Sequence, residues 1–153
     1  MTDARAAASL RAMPLAPGQL PALREALRGC GLPADDLEAG GVILFALEED
    51  GFIVGYGGLE IYGDDALIRS IVVLPAHRRR GVGRRIVARL LAEAARLGAS
   101  RAYLLTTDAR AYFEALGFAV VDRRDAPPAI LTTRQASALC PAAAALMAKP
   151  TTR

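Results

Sequence analysis

Between Ser70 and Leu91 the chain reads SIVVLPAHRRRGVGRRIVARLL, and the residue types there suit the binding of a phosphorylated anion. The apolar run Ile71-Val72-Val73-Leu74 reads as a buried strand that stops where Pro75 removes a backbone donor. Apolar residues then recur at Val82, Ile86, Leu90, Ala94 and Leu97, which is the spacing of a helix face. The turn between them carries Arg78, Arg79, Arg80, Gly81 and Gly83. Such a junction gathers free backbone N–H groups and the positive end of a helix dipole, and glycines let an anion approach closely; two linked phosphates fit that description.

Gly81-x-Gly83 by itself is a weak signal, since a glycine turn can be a plain connection and an arginine run a solvated helix face. The fuller spacing Val73-x-Pro75-x-x-Arg78-x-x-Gly81-x-Gly83 is narrower. It is not a P-loop, because no Gly-Lys-Ser/Thr follows, and Gly-x-Gly-x-x-Gly is incomplete. Six arginines fall between Arg78 and Arg89 in a chain whose formal net charge is only +3. A nucleic-acid binder would spread its basic surface and interleave stacking aromatics, so a phosphorylated small molecule suits the clustering better and no nucleic acid is expected.

These residues need a scaffold. At 153 residues a single domain, 1–153, is the natural expectation. Ser9 to Leu15 reads as a first strand, Pro17 to Arg28 as an amphipathic helix stopped at Gly29, and Pro33 to Leu37 as a short second helix. Val42 to Leu47 and Phe52 to Ile61 are β-prone runs joined through Asp50-Gly51, a strong hairpin signal. Ala66 to Leu74 is the strand that enters the turn. After the helix, which Gly98 would close, come a strand at Arg101 to Thr106 and a helix carrying Ala111, Tyr112, Ala115 and Leu116, with Asp108 as its cap. Ile130 to Ala138 reads as a short helix and Ala142 to Ala148 as a last strand. Strand, helix, strand, helix, strand in succession argues for a parallel pair inside an otherwise antiparallel sheet.

Arg78-x-x-Gly81-x-Gly83 after a strand resembles the acetyl-CoA motif of the GNAT superfamily of N-acetyltransferases. The resemblance implies an α/β fold with a mixed, mostly antiparallel sheet of six or seven strands, a central parallel pair and about four flanking helices. It implies acetyl-CoA as co-substrate. Carried over by position, Ile71, Val72 and Val73 would line the pantetheine arm, and Arg78, Arg79, Arg80, Gly81, Val82, Gly83 and Arg84 would hold the pyrophosphate, more through amides than through side chains. Family members commonly carry Tyr-x-x-x-Gly-Phe, whose tyrosine can protonate the leaving thiolate. Gly117-Phe118 match, but that tyrosine is Phe113 here, and the asparagine often found seven positions earlier is Thr106. Both remain cofactor-lining expectations, while the general acid is left open among Thr106, Thr107 and Cys140. Tyr112 is not an automatic substitute, because one step along a helix turns a side chain by about 100°.

Acetyl transfer also needs an amine that has lost a proton. Glu60 is the candidate base, and Arg69 with Ser70 the candidate substrate-binding pair, Arg69 clamping an oxyanion bidentately. A cross-strand Glu–Arg pair is the plainer alternative. His77, the only histidine, reads as a packing residue of the turn, and no resident metal is expected.

The stretches Gly57 to Ser70, Tyr103 to Thr107 and Ser137 to Pro141 are also similar to the small arsenic-resistance N-acetyltransferases. That likeness implies a small amino-acid-like acceptor, phosphinothricin or an arsenic analogue of it; Cys140 has the chemistry to bind a trivalent arsenical, beside the plainer reading of a small core residue. A protein or peptide N-terminus, or a non-enzymatic acyl-CoA sensor that has lost catalysis, are the alternatives. No sustained apolar stretch reads as a signal or a membrane span, so a cytoplasmic protein is expected, as a monomer or homodimer. Two cysteines far apart make no disulfide scaffold.

Overall fold

The computed structural model describes residues 10–133, 136 and 144–151. Strand β1 (Arg11–Pro14) leads through a 3-10 turn at Pro17–Gln19 into helix α1 (Leu20–Gly29). Strands β2 (Val42–Glu49), β3 (Phe52–Tyr62) and β4 (Asp65–Val73) follow, then a 3-10 turn at Pro75–His77 and helix α2 (Val82–Arg96). The chain continues through β5 (Arg101–Thr106), α3 (Arg110–Ala115), β6 (Ala119–Val120), α4 (Pro128–Leu131) and β7 (Ala145–Pro150). The sheet runs β1-β2-β3-β4-β5-β7-β6. Among the described strands only β4 and β5 run parallel, because the crossover between them is α2.

Local chemistry accounts for most of these elements. Asp50 and Gly51 both take left-handed backbone angles, φ 53° and 84°, as a two-residue turn between twisted strands demands. Gly98, at φ 99°, ends α2. Along β2 the side chains alternate between faces. Phe45 and Leu47 join the cluster under α2 with Ile86, Leu90, Leu104 and Met147, while Ala46 joins the opposite cluster with Leu23 and Leu27 of α1, Tyr56 and Val72. Ile130 of α4 packs against Leu67, Tyr103 and Leu146.

The fit of α2 to the sheet depends on two glycines one strand period apart. A Cβ on Gly57 would lie 2.7 Å from Leu90 Cδ1, and one on Gly55 would lie 2.7 Å from Ile86 Cδ1. Ile86 and Leu90 are one helical turn apart and drop onto these bare positions, which sets the helix close over β3.

Three expectations differ from what is observed. Residues 33–37 form no helix, the chain only turning over 35–38: Pro33 and the Gly40-Gly41 pair leave too few residues, and Asp36 is drawn inward. The cap of α3 is not Asp108. No side chain caps that helix at Ala109, and the Ala109 amide donates instead to Thr106 Oγ1 at 3.0 Å. The short helix near Ile130 begins at Pro128, whose missing N–H costs nothing in a first turn, and ends at Leu131. Residues 134, 135 and 137–143 are outside the described set, and Cys140 and the expected start of the last strand fall there.

Candidate functional site

The parallel pair is short. β4 meets β5 only at Asp65↔Arg101, Ala66↔Ala102 and Leu67↔Tyr103, whereas β5 stays paired to β7 as far as Thr106↔Ala145. Past Leu67 the edge of β4 facing β5 has no strand partner among the described residues. A bulge accompanies the divergence. Gly58 pairs with Arg69 and Tyr56 with Val72, so Ser70 and Ile71 together face Gly57, and Ser70 takes φ 58°. Such a bulge bends its strand and strengthens the local twist, turning β4 away from β5. The wedge left between them is a cleft of about 860 Å³. Ile71, Val72 and Val73 form one wall, and Leu104, Thr106 and Phe113 belong to the other.

Away from Leu67 the cleft runs to the start of α2. There Arg79 (φ 66°) and Gly81 (φ 73°) turn the chain in left-handed steps, so that the helix begins at Val82 with no side chain capping it. Its first-turn amides lack intrahelical acceptors and lie at the positive end of a 15-residue helix. Gly83 lines the cleft. This backbone geometry fits an anion such as a pyrophosphate.

The arginine side chains are arranged differently from the amides. Arg78 folds back, its Nε donating to Val73 O at 2.9 Å and its Nη2 to Cys30 Sγ at 3.4 Å. Arg85 bonds Glu49 on β2, and Arg80 lies 3.8 Å from the same carboxylate while donating to His77 Nδ1 at 2.7 Å. The Arg85 hydrogen bond holds the Glu49 carboxyl below the usual carboxylate range. Arg80 and Arg85 therefore brace the turn from outside, and the open cradle is made of peptide groups. Arg79, Arg80, Gly81, Val82 and Arg84 do not line the cleft wall.

Deeper in, two carboxylates and one guanidinium are buried together. Arg69 Nη1 donates to Asp36 Oδ2 at 2.6 Å and to Glu60 Oε2 at 2.8 Å, Nη2 donates to Asp36 Oδ1, and Nε donates to Ser70 Oγ at 3.2 Å. Burial alone would lower the arginine pKa, but the bonds to Asp36 and Glu60 outweigh it and leave it raised. Glu60 Oε1 accepts from Tyr62 Oη, and burial followed by that bond pushes the Tyr62 hydroxyl up to about 12.

This arrangement corrects two expectations. The bidentate face of Arg69 is taken by Asp36, so although Arg69 lines the cleft it does not present that face to a substrate oxyanion. Glu60 does not line the cleft, and both of its oxygens accept hydrogen bonds, which makes it the cross-strand partner of Arg69. Ser70 does line the cleft. Asp36 was not legible as a site residue: an acid in a proline-and-glycine segment gives no sign of the arginine it will meet 33 positions away.

On the far wall, Thr106 Oγ1 is engaged by Ala109 N, and Phe113 packs edge-to-face against Tyr112 and Phe118 with ring centroids 5.2 and 5.8 Å away. Phe113 has no proton to give. Tyr112 also lines the cleft.

The chain matches the model of the acetyltransferase (GNAT) family over residues 13–118. It is similar to the amino-acid acetyltransferase of Aeromonas salmonicida (strain A449), with 30% identity over 83 residues that make up 53% of this chain and 19% of that protein. Among solved structures it is similar to N-acetylglutamate synthase from Neisseria gonorrhoeae complexed with coenzyme A and N-acetyl-glutamate, with TM-score 0.76, 20% identity, and coverage of 94% of this chain and 35% of that one. It is also similar to the ribosomal-protein-S18-alanine N-acetyltransferase from Escherichia coli, with TM-score 0.68, 21% identity, and coverage of 94% and 95%. The chain thus spans a minor part of the first two proteins. At these identities the structural likeness is one of fold.

Proposed function

The chain belongs to the acetyltransferase (GNAT) family, whose enzymes take acetyl-CoA as co-substrate, and from that premise we propose that this protein acetylates the primary amine of a small, amino-acid-like molecule. The observation that carries the proposal is the opening of β4 from β5 beyond Leu67, continuous with the uncapped start of α2. In this reading the amides of residues 79–84 hold the pyrophosphate, and the unpaired edge of β4 offers N–H and C=O groups to the pantetheine arm. Ile71 and Val73 give that arm an apolar wall. Bound there, acetyl-CoA supplies the activated acetyl group as a thioester.

The residues of the chain then divide the remaining work. Peptide N–H groups of β4 polarise a carbonyl laid along the strand, as fixed donors do best when water is excluded. Phe113 cannot protonate a departing thiolate, so that proton comes from water; general acid help contributes typically 10²–10⁴-fold, and its absence slows the step without forbidding it. Glu60 keeps Arg69 and Tyr62 in place in this scheme. The amine proton passes to water, with Asp35 and Asp108 as exposed carboxylates of the cleft able to take it. Ser70, at the bulge and on the cleft wall, is the proposed contact for the acceptor, since the neighbouring Arg69 is committed to Asp36 and Glu60. The amino-acid class is supported by the likeness to the Aeromonas salmonicida amino-acid acetyltransferase. Phosphinothricin and its arsenic analogue stand on the sequence resemblance.

The absence of a proton donor at Phe113 favours one second reading, an acyl-CoA sensor without turnover. Thiol release from acetyl-CoA across a panel of amino acids, phosphinothricin, a diamine and an alanine-initiated peptide separates them. Turnover with an amino acid supports the proposal. Tight acetyl-CoA binding with no turnover on any amine selects the sensor, and turnover on the peptide alone moves the acceptor class to protein N-termini.

A further inference from the structure

We infer that Tyr112 is a cofactor-binding residue whose hydroxyl donates to the pyrophosphate held by the first turn of α2. The inference rests on the acetyl-CoA reading and adds a side chain to a cradle otherwise made of peptide groups. Its first support is position. A Cβ on Gly83 would lie 2.7 Å from Tyr112 Oη and 3.7 Å from its Cζ, so the phenol tip stands against the backbone of the helix's second residue. Gly83 and Tyr112 both line the cleft, and Gly81, the N-cap residue of α2, has no side chain with which to cap it.

The second support is that the ring is held. Tyr112 packs edge-to-face on Phe113, which packs in turn on Phe118 in the core, and Thr106 Oγ1 tethers the start of α3. Tyr112 stays 45% exposed, so this contact orients the ring without enclosing it, and a donor oriented before the ligand arrives loses less rotamer freedom on binding. The third is protonation state. Burial pushes the Tyr112 hydroxyl above its ordinary value, with nearby Arg84 pulling the other way, so at neutral pH the group is a phenol that can donate to an anion.

The same position argues against a role as general acid. The length of a pantetheine arm separates the pyrophosphate of coenzyme A from its sulfur, and a hydroxyl set over the first turn of α2 serves the phosphate end. The sequence hid this role, because Tyr112 sits beside the position where an acid was sought and was judged against that task alone.

Calorimetry on the full chain tests the inference with two probes, coenzyme A and S-acetylpantetheine, which lacks the pyrophosphate. Tyr112→Phe keeps the ring and its packing, so its thermal midpoint should match that of the wild type. The expected result is about tenfold weaker coenzyme A binding, the loss of one charge-assisted hydrogen bond, with unchanged affinity for S-acetylpantetheine. Equal coenzyme A affinity in the two proteins overturns the role of Tyr112 and leaves the cofactor reading standing. An unchanged affinity with turnover falling a hundredfold or more also overturns it, in favour of an acid. Failure of the wild type itself to bind coenzyme A removes the cofactor reading, and this inference with it.

Discussion

Asp36 and Arg69 face each other as a buried bidentate ion pair, each side chain 1% exposed, joining the turn after α1 to the middle of β4. The pair sits one residue before the bulge at Ser70, so it fixes the loop at the mouth of the cleft to the strand that forms its wall. A buried pair of this kind is poor evidence of net stabilisation, since desolvating the charges offsets much of their attraction. Breaking it is another matter. Asp36→Ala leaves a buried guanidinium with Glu60 and the Ser70 hydroxyl and one carboxylate fewer, and the expected loss is about 3–5 kcal/mol in urea unfolding. A loss below about 1 kcal/mol would mean that the loop is not held by this contact.

The turn into α2 depends on backbone that few side chains tolerate. Gly81 at φ 73° has open space around it, so a valine there meets strain and no clash. Gly81→Val should therefore reduce acetyl-CoA affinity by roughly tenfold or more through a shifted helix start, given a strain of about 1–2 kcal/mol at that residue. Calorimetry with acetyl-CoA reads the affinity, and an undisturbed value would remove the peptide cradle from the argument.

Gly55 has a different reason for being glycine. Its Cβ would fall inside contact distance of the Val72 carbonyl oxygen as well as of Ile86, and a backbone atom cannot swing aside. Gly55→Ala is expected to cost about 1–3 kcal/mol by overpacking. Thermal unfolding should show a lowered midpoint, and an alanine variant as stable as the parent would deny the close seating of α2.

Acid should expose the brace on the turn. The Arg85 hydrogen bond depresses the folded pKa of Glu49 below its ordinary 4.5, so folding favours the carboxylate. The stability linked to this group is complete above pH 4.5 and disappears as pH falls through the depressed folded value. Wild type and Glu49→Gln, compared by unfolding between pH 7 and pH 3, should differ most at neutrality and converge in acid. A gap independent of pH would show that the contribution is not ionic.

Alkali addresses the other buried network. Tyr62 titrates at about 12 when folded against 10 for an ordinary tyrosine, so its contribution is complete below pH 10 and is lost as pH rises through 12. Tyr62→Phe should remove that part of the alkaline decline in stability, followed by circular dichroism. A variant with the same alkaline profile as the wild type would place the loss elsewhere.

The order of strands and helices was legible because it is written in local chemistry: Asp50-Gly51 for the hairpin, Gly98 for the end of α2, and the helical spacing from Val82 to Ala94. So was the junction at Arg78 to Gly83, since strand, turn and helix are contiguous there. Side-chain partnerships across the fold were not. Asp36 meets Arg69 only because β4 passes under the turn that follows α1, and Thr106, not Asp108, holds the chain at the start of α3 by accepting from the Ala109 amide. Tyr112 reaches Gly83 from another element altogether. Sequence by itself determined where the peptide chain must turn, pair or coil, because those preferences act over a few residues. Which charged and polar groups share a site was decided by tertiary structure alone, since burial obliges each of them to find whatever partner the packing brings within reach.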